Sequence, residues 1–344
     1  GAGYMAATTY TGTGASLGVT NTVGSTSFQP DLVWIKSRSA ATNNNLFDAI
    51  RGTTNYLISN STAANASNAN SLTAFNSNGF TVGTDASSIG VNVNTATYVG
   101  WQWLAGAGTT SSNTNGSITS TVCVNTTSGF SVVTYTGTGA NATVGHGLGV
   151  APNMVITKQR TAASTTNWAT WHTSIANTNY LLLNTTAAST AGATYWNSTT
   201  PTSSVFSIGT ASDTNTNTGT YVAYCFAPIA GYSAFGSYTG NGSSDGSFVY
   251  CGFRPRYILH KASSTTSQWM MWDTSRNTYN VLTNAELLAN GSGAEGSGAW
   301  GTELDILSNG FKFRGSDNSN FNYTGITYIY AAFAENPFNY SLAR

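Results

Sequence analysis

Two short strings in this chain match spacings that carry chemistry in other folds. Gly14-Ala-Ser16-Leu-Gly18 has the G-x-S-x-G form of a nucleophilic serine held on a tight turn between a strand and a helix. Here a Gly- and Thr-rich turn runs on into Thr20 and Asn21 with no helical pattern behind it, so the string reads as a turn. Gly291-Ser-Gly293-Ala-Glu-Gly296 has the G-x-G-x-x-G form that brings backbone amides to a pyrophosphate, but no strand leads in and no helix follows. It reads as a flexible surface loop. The histidines are His146, His172 and His260, and none lies three or four residues from a second type of metal ligand. Asp85, Asp213 and Asp317 each come just after a Gly that ends a strand-like run. Such oxygens suit calcium, although an Asp capping its own turn is the simpler reading. No cofactor and no metal is expected.

A sugar-binding reading attaches to the aromatic pairs Trp168 with Trp171 and Trp269 with Trp272, to His172, and to Asp48 with Arg51 and Asp273 with Arg276. In an extended chain or a bend, these spacings would set an aromatic face beside a charge or an amide, which is how carbohydrates are commonly held. Core packing competes with that reading, because a small β-rich unit needs aromatic bulk. Cleavage of a polysaccharide is not expected: paired carboxylates are required, and residues 1–231 contain four acids and no Glu.

Charge is scarce throughout. Twelve Lys and Arg balance twelve Asp and Glu, and together they make 7% of the 344 residues, where about a quarter is usual. Ser, Thr, Asn and Gly take the surface positions instead, and these favour turns and strands over helix interiors. Without a basic cluster, nucleic acid is not an expected partner. No apolar run is long enough to span a membrane as a helix. The start GAGYMAATTYTG lacks the regions of a signal peptide and an initiating Met, which leaves open both a whole protein and a processed piece of a longer polypeptide. Cys123, Cys225 and Cys251 contain no CxxC pair and imply no disulfide framework.

The elements that must position these residues come in three copies. Tyr10-Thr-Gly-Thr-Gly, Tyr135-Thr-Gly-Thr-Gly and Tyr238-Thr-Gly-Asn-Gly open them. A proline, an apolar strand and a lysine follow: residues 30–36 (PDLVWIK), 152–158 (PNMVITK) and 255–261 (PRYILHK). Then come Phe47-Asp48, Trp171-His172 and Trp272-Asp273, a strand opened by Phe80, Phe206 or Phe311, and a closing strand, YVGWQW, YVAYCF or YIYAAF. The second and third copies stand 103 residues apart at both the opening Tyr and the Lys. The first and second stand 125 apart at the Tyr, and the surplus falls in 107–128, a Gly-, Ser-, Thr- and Asn-rich stretch that reads as a linker. The expected units are 1–106, 129–231 and 232–344.

Runs of 4 to 8 residues rich in Val, Ile, Thr and aromatics, set off by Gly, Asn and Ser, predict an all-β chain of three tandem β-sandwich units of jelly-roll or lectin-like type. The closing strand is apolar on both faces and must be covered on both. Residues 285–289 are the best helical candidate. Most of the charge lies beyond residue 231, which points to the third unit as the exposed end of the array.

The strings PDLVWIKSRS, LFDAIRG, VGHGLGVAPNMVI, FGSYTGNGSSDGSFVY and YAAFAENPF resemble repeat modules of structural proteins from marine bacteriophage virions. The resemblance implies a tail fibre, capsid fibre or decoration protein on the virion surface, outside the cell. It carries over no catalytic or binding residue. The expected function is therefore that of a non-catalytic structural or appendage protein mediating assembly and surface contact. Its partners would be further copies, for example in a homotrimer, and other virion proteins. The alternative is a module that attaches to host-surface glycan.

Overall fold

The computed structural model describes residues 3–85, 89–161, 165–278, 280, 282–283, 285–298, 303–315 and 319–336. The chain is all-β. Among the described residues helix is confined to two single turns, Ala193–Trp196 and Ser212–Asn215.

Each copy of the repeat builds one large sheet and one small one. In the first, the opening strand Met5–Thr11 pairs with the closing strand Thr97–Trp103. That strand pairs in turn with Leu32–Ser37, and the sheet continues through Asn45–Asp48 and Asn55–Ile58. The small sheet is Leu17–Thr20, Gly79–Val82 and Leu72–Asn76. The same nesting of first with last and second with next-to-last recurs as Phe130–Thr136 with Thr220–Phe226 and Ala142–Gly145 with Val205–Ile208. In the third copy it is Ser233–Thr239 with Thr327–Ala334 and Phe248–Tyr250 with Gly310–Phe313. The segments behind the three prolines share one register: Leu32, Met154 and Tyr257 stand opposite Trp103, Phe226 and Phe333.

The alternation of strand side chains sends each large sheet's residues to two different cores. In the first copy Val33, Ile35, Phe47 and Tyr98 face Val19, Phe80 and Val82 of the small sheet. Val155, Tyr221 and Ala223 meet Val144, Phe206 and Ile208 in the same way in the second. The opposite faces, carrying Leu32, Trp34, Trp101 and Trp103 with their counterparts, join one cluster shared by all three copies.

The landmark side chains hold the loops. Tyr10, Tyr135 and Tyr238 stack on Tyr98, Tyr221 and Tyr328 with ring centroids 5.0, 5.1 and 4.9 Å apart. Their hydroxyls donate to the carbonyls of Val91, Thr214 and Phe321. Next to them a buried Asn acts as a clamp. Asn92 Nδ2 donates to the carbonyls of Gly83 and Ala15, Asn215 Nδ2 to those of Gly209 and Ala140, and Asn322 Nδ2 to those of Gly315 and Ser243.

Three expectations need correction. Residues 107–128 are not a linker: Ser111–Asn113 and Ser120–Asn125 extend the large sheet of the second copy. Val122 and Cys123 are buried there on opposite faces, in two different cores. Asp31 of the first copy holds the approach, its carboxylate accepting from the backbone N–H of Ala105, Ala107 and Gly108 at 2.6 to 2.9 Å. Residues 285–289 form no helix. Five residues are too few to repay nucleation, and Leu287–Leu288 instead pairs with Met270–Asp273. The third copy is not an exposed end, since it touches both of the others through the seams described below.

The strand at 120–125 makes a direct prediction. Val122→Ser should cost about 1.5–3 kcal/mol of stability, the burial of one Val-sized side chain, read as a lowered denaturation midpoint. In a flexible linker the same change would leave the midpoint where it was.

Candidate functional site

Many of the residue types that could do chemistry are collected where the three copies meet. Asn44, Trp168 and Trp269 occupy one equivalent position, just before the strands Asn45–Asp48, Ala169–His172 and Met270–Asp273. Trp168 Nε1 donates to the carbonyl of Ile58 in the first copy, and Trp269 Nε1 donates to that of Leu182 in the second, both at 2.9 Å. Asn44 Nδ2 closes the circle by donating to the carbonyl of Leu288 in the third, at 3.0 Å.

Two further sets of bonds repeat the same circuit. The landmark lysines reach across: Lys36 Nζ to the carbonyl of Ser292 (2.9 Å), Lys158 Nζ to that of Thr62 (3.2 Å) and Lys261 Nζ to that of Thr186 (3.0 Å). The backbone N–H of Glu295, Asn65 and Ser189 donates to the carbonyl of Arg38, Arg160 and Ser263, at 2.8 to 2.9 Å. The second copy thus leans on the first, the third on the second and the first on the third. The G-x-G-x-x-G string is part of this circuit through Ser292 and Glu295, so it is an interface segment and not a free surface loop.

At the centre Trp103, Phe226 and Phe333 form a triangle, with centroid distances of 6.2, 5.7 and 5.7 Å and all three pairs edge-to-face. The space left beside them is about 20 Å³, room for roughly one water molecule. A shallower recess of about 240 Å³ on the first copy is lined by Thr42, Asn43, Asn45, Tyr56, Ile58, Ile89 and Gly90, with no carboxylate, imidazole or amine.

The three seams differ in their polar chemistry. Between the first and second copies, Asp48 and Arg51 form a fully enclosed ion pair, and Tyr224 donates its hydroxyl to Asp48 at 2.8 Å. Between the third and first, Asp273 pairs with Arg276 at 2.6 Å, Trp101 Nε1 donates to Asp273 at 2.9 Å, and the indole lies over the guanidinium. Between the second and third, the equivalent positions hold His172, Ile175 and Ala331. There the imidazole donates from Nε2 to the carbonyl of Tyr330 and accepts from Ser174 N–H.

None of the residues expected to face sugar does so. Trp168, Trp171, His172, Trp269, Trp272, Asp273, Asp48 and Arg51 are buried, and the Arg276 side chain is fully enclosed. The reason is positional: their strands are covered by the small sheet on one face and by a neighbouring copy on the other. Asp85 accepts from the backbone N–H of Ile89 and Val91, and Asp213 accepts from Asn167 and Tyr195, so both tie loops together. Asp317 lies outside the described residues. Among the described residues no three His, Cys, Asp or Glu side chains come together as metal ligands.

Burial sets the ionisation of the enclosed groups. It lowers His172 to about 4 and His260 to about 3, so both are neutral at pH 7. It raises the thiols of Cys123 and Cys251 to about 12, which keeps them unreactive. Lys36 and Lys158 fall to about 8 and Lys261 to about 7, again through burial. Among the described residues each of these amines bonds only to carbonyl and hydroxyl oxygens.

Sequence reading found the lysines and the opening tyrosines as landmarks without a role, and it missed Asn44 and the clamp asparagines. A signal for the latter was present: Asn92, Asn215 and Asn322 each stand six residues before the tyrosine of the closing strand.

The geometry defines an all-β protein of sandwich-like sheets that enclose Asp48, Arg51, Asp273, Arg276 and the three landmark lysines. Residues 1–337 match the family described as a domain of unknown function, DUF7483, and the chain belongs to that family. No curated protein and no solved structure matches the chain.

Two predictions follow from the seams. Asp48→Ala leaves Arg51 buried without its counter-charge and should cost about 3–5 kcal/mol. Ile175→Ala, at the position equivalent to Arg51 on the seam that has no ion pair and itself only partly buried, should cost less, both read by chemical denaturation. The second concerns pH. The unfolded Lys261 amine titrates near 10.4 and the folded one near 7, so between those values the unfolded chain holds the extra proton and stability rises with pH. Wild type should therefore gain stability relative to Lys261→Met between pH 6.5 and 9.5. A difference that stays flat over that range contradicts a buried, uncompensated amine.

Proposed function

We propose that this chain is a non-catalytic structural or appendage protein of the virion surface, of fibre or decoration type, built from three sandwich units that act as one three-fold body. The observation that carries this reading is the closed circuit of equivalent bonds, Trp168 to Ile58, Trp269 to Leu182 and Asn44 to Leu288. A ring of three equivalent parts is the contact pattern of a homotrimer, held here within one polypeptide. The nested pairing of first with last and second with next-to-last strand supports a jelly-roll-like unit.

The distribution of reactive groups favours the same reading. Asp48, Asp273, Arg51, Arg276 and the three lysines are committed to seams, and the cysteines are buried with raised pKa values. Polar, nearly uncharged surfaces suit a protein that meets neighbours in a fixed array. With three-fold contacts satisfied internally, association with other virion proteins or with further copies would use the outer surface.

The test is direct. Particles purified from the source should contain this chain in stoichiometric amounts by quantitative mass spectrometry. Antibodies raised to it should decorate their exterior in electron micrographs. Recovery of the chain only from the soluble fraction of cells, with none on purified particles, would rule the proposal out.

A further inference from the structure

Four large apolar side chains of the described residues are largely open to water: Val150, Phe248, Tyr250 and Tyr323. Two of the four stand side by side. The strand Phe248–Tyr250 alternates exposed, buried, exposed, so Val249 enters the core while both rings leave the same face. Tyr250 is 64% exposed and Phe248 45%.

The surroundings of this pair are built as well. Phe248 stands opposite Lys312 and Tyr250 opposite Gly310. A Cβ on Gly310 would lie 2.0 Å from the Val249 carbonyl oxygen, as one on the equivalent Gly79 would from that of Val19, so the ladder itself requires glycine here and no side chain stands opposite Tyr250. Along one border Lys312 Nζ bonds Asp245 at 2.5 Å, Arg314 Nη1 bonds Asp245 at 3.2 Å, and Arg314 Nε bonds Asp305 at 2.5 Å. Two acids and two bases cancel, leaving fixed donors and acceptors with no net charge.

The fold does not require these rings. By register on the partner strand, the positions equivalent to Phe248 and Tyr250 are Gly18 and Thr20 in the first copy, both exposed, and Thr143 and Gly145 in the second, where Asn113 and Ser120 cover Gly145. The same ladder closes there without an aromatic side chain. Two rings held in water add little to stability, so packing does not account for their presence in the third copy alone.

We propose that the Phe248–Tyr250 face of the third copy is a binding platform for neutral carbohydrate. Flat aromatic faces bury the C–H face of a pyranose, and the Tyr250 hydroxyl and the Asp245–Lys312–Arg314 border supply partners for its hydroxyls. The balanced charge gives no field to concentrate a sulfated polysaccharide or a nucleic acid. A second protein copy fits poorly. Both rings together expose on the order of 200 Å², against roughly 800 Å² per partner in a standard interface. This platform rests on no part of the structural role proposed above.

Saturation-transfer NMR of the full chain tests it, with neutral hexaoses of glucose, galactose, mannose and N-acetylglucosamine at millimolar concentration, and with sulfated and uronic oligosaccharides for comparison. At least one neutral probe should receive saturation at its ring protons. The double variant Phe248→Thr with Tyr250→Gly installs the residues that the second copy uses at these positions. It should weaken that binding at least ten-fold while the melting midpoint stays within a few degrees, and Tyr323→Ala should leave binding unchanged. No transfer to any neutral probe, or transfer that the double variant does not reduce, would overturn the proposal. So would binding confined to the sulfated or uronic probes.

Discussion

The structure depends on the covering of a sheet that is apolar on both faces. Each closing strand sends Tyr98, Tyr221 or Tyr328 towards its own small sheet and Trp103, Phe226 or Phe333 the other way. A single copy can cover only the first face. The second, with its aromatic and aliphatic rows, would stand open to water at about 25 cal/mol for each Å² of apolar surface. Three copies brought together close that face around the Trp103–Phe226–Phe333 triangle, and edge-to-face contacts suit the electrostatics of the rings. The seams and the order of the copies around the axis follow from this need.

The polar groups at the seams are arranged around that apolar centre. An indole or an amide, a lysine and a backbone N–H cross each seam to carbonyls of the next copy. Such bonds add about 1 kcal/mol each, but leaving them unmade costs more. They therefore define which mutual position of two copies is acceptable. The ionic groups differentiate the seams further. Asp48 with Arg51 meets Tyr224, Asp273 with Arg276 meets Trp101, and His172 with Ile175 meets Ala331. An exchange of neighbours would set an enclosed carboxylate against a side chain that cannot donate to it.

The scarcity of charge acquires a physical meaning from this arrangement. In the first two copies the few charged side chains are largely spent inside: Asp31, Lys36, Asp48, Arg51, Lys158 and Asp213 are all buried. The outer surface is left to Ser, Thr, Asn and Gly. The third copy keeps more of its charge outside, where Asp245, Lys312 and Arg314 border its exposed aromatic pair.

Much of the fold was legible in the sequence because it is written in local terms. Alternating apolar residues, turn-forming clusters and three sets of landmarks predicted an all-β chain with a thrice-repeated plan, and the prolines do begin equivalent strands. Two features failed for local reasons. The strand at 120–125 is short and flanked by Ser, Thr and Asn, so its pairing partner, Phe130–Thr136, is what makes it a strand. The five residues at 285–289 have helical composition, but an open sheet edge recruits two of them. The candidate site was less legible. Tryptophan, Asp–Arg and Lys stood out by type, yet nothing in their spacing told an exposed sugar platform from an enclosed seam, because burial depends on what another copy about a hundred residues away brings to the second face. The sequence by itself determined strand, repeat and composition, which are properties of neighbours along the chain. Tertiary structure alone decided which faces are covered, since covering a two-sided sheet is a matter of contacts among all three copies at once.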